Sequence, residues 1–114
     1  MRKDYHVIAP DPRGHGDSDW SVGGQYTLPE YVLDIAQLID VLDLAPLRIV
    51  AHSMGGLVSR AYLQMLGGDR RVDTLITIAT PHQGSHAAPW VPTKLGAQLH
   101  PDGAFLERLA AQPP

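Results

Sequence analysis

The sequence predicts an α/β fold built from parallel strands joined by crossover helices, and three observations predict it. Short, continuously apolar segments alternate with longer segments of helical period along 114 residues. Each apolar segment is bounded by proline or glycine, as buried parallel strands are. The order is strand, helix, strand, helix, strand, with a looser C-terminal stretch after Pro81.

The first predicted strand is His6–Ala9, stopped by Pro10 and Pro12. A helix is expected from about Leu28 to Leu44. Thr27 is its N-cap with Glu30 three residues later, and Pro29 sits in the tolerant first turn. Val32, Ile35, Ile39 and Leu42 mark one face of it, and Asp34, Gln37, Asp40 and Asp43 the opposite one. Leu47–Ala51 is the second strand. Met54–Leu66 is the second helix, with Leu57, Val58, Ala61, Tyr62 and Met65 as its stripe and Gly67-Gly68 as its stop. Val72–Ala79, richest in β-branched residues, is the third strand. Residues 1–81 thus form a core. Residues 82–114 form a lid- or cap-proximal segment, rich in Gly, Pro, Gln and His, in which Gly103–Ala111 has the apolar spacing of a short helix and Trp90, Val91, Leu95 and Leu99 are scattered. Three parallel strands make a thin sheet whose outer edges need neighbours.

Composition narrows the function classes. The chain is 12.4 kDa, too short for two ordinary domains. It lacks Cys, which excludes a thiol nucleophile, a disulfide scaffold and a thiolate metal site. Nine basic against twelve acidic residues, with no basic stripe, argue against nucleic-acid binding. No apolar run approaches the roughly 18 residues of a membrane span, and none near the N-terminus resembles a signal peptide's apolar core. The compartment stays open between cytoplasm and exterior.

Three motifs carry chemistry, each at a strand's C-terminal end. Ala51-His52-Ser53-Met54-Gly55-Gly56 lies between a strand and a helix. A serine hydroxyl needs exposure, a nearby base and oxyanion donors to act as nucleophile. A tight strand-to-helix turn exposes it, and the new helix offers unpaired N–H groups, with Met54 N–H as oxyanion donor. The bland alternative is a helix N-cap serine followed by glycines. Asp11-Pro12-Arg13-Gly14-His15-Gly16-Asp17-Ser18 follows the first strand. It lacks the third glycine of a dinucleotide fingerprint, where Asp19 stands, and a turn held by Asp11 and Arg13 is its structural alternative. Thr80-Pro81-His82-Gln83-Gly84-Ser85 follows the third strand; His82 and His86 are four apart, but a loop context and the lack of a third ligand argue against zinc. His15 and His82, in loops, are candidate substrate contacts.

Together these segments resemble the α/β-hydrolase fold, and more narrowly its lipase and esterase branch, over nearly all of residues 5 to 86. D-P-R-G-H-G-D-S is similar to the loop after the family's fourth strand. A-H-S-M-G-G is similar to its nucleophile elbow, with Ala51 in place of the first glycine. T-P-H-Q-G-S resembles a segment that lipase-like members carry after the next strand. The resemblance implies a partial α/β-hydrolase core and a serine ester hydrolase, acting through an acyl-enzyme on Ser53 with no metal and no cofactor. Its substrate is a small-molecule or lipid ester, and Trp90, Leu95, Leu99 and Phe105 then have either an acyl-chain role or ordinary packing roles. The same elbow serves acyl transfer, thioester or amide hydrolysis and lactone opening.

Family order places an acid and then a histidine after the serine. Asp73 opens the third strand and Thr80 closes it, roughly 20 Å away at ~3.3 Å per residue, so Asp73 is excluded as the histidine's orienter. Asp102 precedes no histidine. The expectation is an incomplete catalytic set, completed by the remainder of the fold or by an oligomeric partner. A non-catalytic, partner-binding module of the same fold is the rival of a different class.

Overall fold

The computed structural model describes residues 4–87, 90 and 93–113; Val91 and Pro114 lie outside them. Its elements are α1 (Leu28–Val41), β1 (Leu47–His52), α2 (Met54–Met65), a 3-10 turn (Gly68–Arg70), β2 (Val72–Ile78), α3 (Lys94–Leu99) and α4 (Ala104–Ala110). β1 and β2 pair in parallel, with Ile49 opposite Leu75, Ala51 opposite Thr77 and His52 opposite Ile78, and α2 is the crossover between them.

The two long helices and the strands at Leu47 and Val72 form where the sequence places them. The Glu30 carboxylate accepts from the Thr27 N–H (2.8 Å), closing the predicted N-terminal box of α1. Gly67 takes a left-handed φ of 70° just past α2, the conformation that ends helices at glycine. Leu28, Tyr31, Val32 and Ile39 of α1 meet Leu57, Val58, Ala61 and Tyr62 of α2 to form the core. Ile49 and Leu47 of β1 pack against that cluster, so one face of the sheet is covered by helices.

Two expectations are corrected. The sheet has two strands among the described residues, not three. Residues 6–9 form no ladder among the described residues, and next to them Arg48 Nη1 of β1 donates to the Tyr5 hydroxyl (2.7 Å) and stacks over its ring. Three apolar residues, Val7, Ile8 and Ala9, next to two prolines have the composition of a strand, but a strand exists only when a partner backbone pairs with it. The sheet is also covered on one face only. Val50, Ile76 and Ile78, at alternate positions on the other face, are half or more exposed.

The C-terminal stretch is more ordered than its composition suggests. Helix α3 was not expected. It is six residues long with only Leu95 and Leu99 as apolar anchors, and Thr93 caps it by accepting from the Gly96 N–H (3.2 Å). α4 confirms the short closing helix. Phe105, Leu106 and Leu109 lie in the core, and Leu95 and Leu99 pack against it. The Gln98 side chain ties this stretch to α1, its Oε1 accepting from Leu28 N (2.8 Å), and within the stretch Ser85 N donates to Leu99 O (2.8 Å).

Leu109 is fully buried. Leu109→Ala is expected to lower stability by about 2–5 kcal/mol in urea unfolding; a loss below about 1 kcal/mol would show that α4 is not part of the core. Burial pushes the Tyr62 and Tyr31 hydroxyls above the usual tyrosine value. The unfolded chain ionises first, so stability holds below pH about 10 and falls as pH rises beyond it. Tyr62→Phe should flatten that alkaline decline in melts recorded between neutral and alkaline pH.

Candidate active site

Ser53 stands between β1 and α2 with φ 52° and ψ −129°. This backbone is unfavourable for a residue with a Cβ, and it persists only where the surroundings enforce it. The enforcement is visible. The Ser53 N–H donates to Ile78 O at the end of β2 (2.8 Å), and Gly56 N donates back to Ser53 O (3.1 Å). The chain therefore reverses within one residue, and the Ser53 side chain is left exposed.

The two glycines after it do different things. A Cβ on Gly55 would meet only the Ala51 Cβ, at an ordinary 3.8 Å. Ala51 is thus accommodated in place of the family's first glycine. A Cβ on Gly56 would overlap the Thr80 side chain. Ala79, beside it, also has a positive φ (50°), so both strands leave the sheet by a sharp turn at the same level. The Thr80 hydroxyl is buried there with no hydrogen-bond partner among the described residues.

Helix α2 begins at Met54, so the Met54 and Gly55 N–H groups precede the first intrahelical bond and carry the positive end of the helix dipole. Ser59 Oγ donates to Gly55 O (2.9 Å), bracing the first turn. An oxyanion held at Met54 N–H would lie beside the exposed Ser53 hydroxyl.

The other predicted residues are placed as follows. His15 is exposed, with Nδ1 at 3.0 Å from Arg13 O; His82 is exposed, with Nε2 at 3.0 Å from the Thr77 hydroxyl. Trp90 is exposed. Among the described residues, no side chain hydrogen-bonds the Ser53 hydroxyl. Asp73 lies five residues before Ile78, at the far end of β2 from Ser53, and pairs with Arg48 (3.5 Å).

The Asp11–Ser18 loop is held as its structural alternative anticipates. Asp11 accepts from Asp17 N (3.0 Å) and from Ser18 Oγ (2.7 Å). Arg13 reaches both carboxylate oxygens of Asp34 on α1 (2.6 Å each), which pushes its pKa up, and also donates to Gln25 O (3.1 Å). The sequence reading missed two residues of the site. Asp34, counted as part of a polar helix face, is the loop's anchor, and Thr80 is the wall behind Gly56. The signal for Asp34 was a charge near mid-helix; Thr80 opens the T-P-H-Q-G-S motif, which did not show its packing against Gly56.

A family model described as alpha/beta hydrolase fold matches residues 1–105. The chain is 32% identical over 103 residues to a non-heme chloroperoxidase of Streptomyces lividans, covering 90% of this chain and 33% of that protein. It is 32% identical over 83 residues to epoxide hydrolase 4 of Homo sapiens, covering 72% and 22%. It is 39% identical over 56 residues to a 3-hydroxybutyrate-oligomer hydrolase of Cupriavidus necator, covering 48% and 19%. The chain spans about a third or less of the length of each of these relatives. No solved structure matches it.

The glycine pair gives a direct check of this geometry. Gly56→Ala is expected to cost about 1–3 kcal/mol by overlap with Thr80. Gly55→Ala should be neutral or slightly stabilising, since alanine favours the helix. Differential scanning calorimetry on the two variants compares them, and equal effects would contradict the packing.

Proposed function

The chain belongs to the alpha/beta hydrolase fold family, and within it we propose that Ser53 is the nucleophile of a carboxylic ester hydrolase of the lipase or esterase type. The observation that supports this most is the Ser53 backbone, strained at a strand-to-helix turn with its side chain exposed and a helix N-terminus beside it. A serine that merely capped a helix would take an extended backbone and accept from the second or third N–H. Ser53 does neither.

In this reading Ser53 Oγ attacks the ester carbonyl carbon and passes its proton to a histidine base. The carbonyl oxygen gains the negative charge, and Met54 N–H donates to it. The tetrahedral adduct collapses as the histidine gives that proton to the departing alkoxide, the alcohol leaves, and an acyl group remains on Ser53. Water, deprotonated by the same base, then releases the acid and restores the serine. The histidine and its acid come from segments beyond these residues, since no described side chain engages the Ser53 hydroxyl. His15 and His82 serve as substrate contacts in loops around the site. One similar protein, the 3-hydroxybutyrate-oligomer hydrolase, has a name that accords with this chemistry.

The test is p-nitrophenyl butyrate hydrolysis by an active protein carrying these residues. Ser53→Ala is expected to abolish turnover in a protein that still folds, and retained turnover would sink the assignment. Asp73→Asn is expected to alter stability and leave kcat unchanged, because its Arg48 pair lies at the far end of the strand.

A further inference from the structure

The first turn of α2 has little of what usually holds a helix start. Ser53 is its N-cap but makes no side-chain cap bond, and no acidic residue stands in the turn. Met54 is followed by Gly55 and Gly56, and glycine gives up the most backbone freedom on entering a helix. Packing holds Gly56, which lies against Thr80. It does not hold Gly55, where a Cβ would meet only the Ala51 Cβ at 3.8 Å.

Hydrogen bonds take over that role. A helical carbonyl accepts from the N–H four residues on. Gly55 O has a second donor, Ser59 Oγ at 2.9 Å. A buried serine commonly satisfies its hydroxyl in this way, so the bond alone is unremarkable. What it is joined to matters more. Gly55 O and Gly56 N–H are the two ends of one rigid peptide plane. That N–H donates to Ser53 O (3.1 Å), and Ser53 O shares the next plane with Met54 N–H. The Ser59 hydroxyl is therefore linked to Met54 N–H through two peptide planes and two hydrogen bonds.

The bonds of this chain all run in one direction. The Ser59 O–H draws electron density from Gly55 O, which makes Gly56 N–H a better donor to Ser53 O. That bond in turn makes Met54 N–H a better donor. The same bonds limit how far the plane carrying Met54 N–H can tilt. Ser59 is 6% exposed, and the core's other buried side chains are apolar or tyrosine, so its bond is made in low-dielectric surroundings that strengthen it.

We propose that Ser59 is a positioning residue for Met54 N–H: its hydroxyl holds and polarises the donor that would face a developing oxyanion. The oxyanion part rests on the nucleophile assigned to Ser53. The tie between Ser59 and the first turn does not.

Ser59→Ala removes the hydroxyl, adds no bulk and favours the helix, so the fold is expected to persist. Amide hydrogen exchange on the chain, read by NMR, is expected to speed up about tenfold at Gly56, with amides in the second half of α2 unchanged. In an active protein carrying these residues, kcat for p-nitrophenyl butyrate should fall about tenfold with KM unchanged, less than the loss of a donor outright. Ser59→Thr keeps a hydroxyl and should restore most of kcat. Unchanged exchange at Gly56 would overturn the proposal. Equal acceleration along all of α2 would overturn it too, by making Ser59 a general support of the helix. So would an unchanged kcat in the alanine variant, or a folded threonine variant no faster than it. Turnover retained in Ser53→Ala would remove the nucleophile and the oxyanion role with it, whereas the exchange result reads the tie alone.

Discussion

The contact between Gly56 and Thr80 sets how closely helix α2 can start behind β1, and the candidate site depends on that spacing. Any side chain at position 56 would occupy the space of the Thr80 side chain, so the first turn of α2 would have to move away from the end of β2. Ser53 would then lose the short bond to Ile78 O that fixes its left-handed backbone. The exposed hydroxyl and the free N–H groups of the helix start both follow from this closeness. The Thr80 hydroxyl is buried at this contact without a hydrogen-bond partner among the described residues.

Around this centre the molecule is asymmetric. Helices α1, α2 and α4 build one apolar core against one face of β1 and β2, and Leu28, Leu57 and Leu109 are its fully buried centre. The opposite face carries Val50, Ile76 and Ile78 in the open. Parallel strands of near-continuous apolar composition are normally covered on both faces. The bare face and the unladdered residues 6–9 accord with a chain that spans about a third of its relatives' length. The core on the helix side is packed all the same, around Leu28, Leu57 and Leu109.

The loop before α1 shows how a motif's charges can be structural. Asp11 and Arg13 stand where a substrate would be met, yet their partners are Asp17, Ser18, Asp34 and Gln25. Their work is to close the loop's own turn and to tie it to α1. Because Arg13 bonds Asp34 bidentately, the loop is referenced to the middle of α1 and hence to the core.

The sequence by itself determined the local elements and the chemistry of the turn. The helix spans of α1 and α2, the strands at Leu47 and Val72 and the strand-to-helix position of Ser53 were legible because period, capping and glycine placement act over a few residues. The wall behind Gly56, the Asp34 anchor, the docking of Gln98 on α1 and the absence of a ladder at residues 6–9 were decided by tertiary structure. Each depends on groups tens of residues apart meeting in space, as with Leu28 and Gln98, and no local pattern records such a meeting. A strand in particular is a property of two chain segments: His6–Ala9 has the composition for it, and only a paired backbone would make it one.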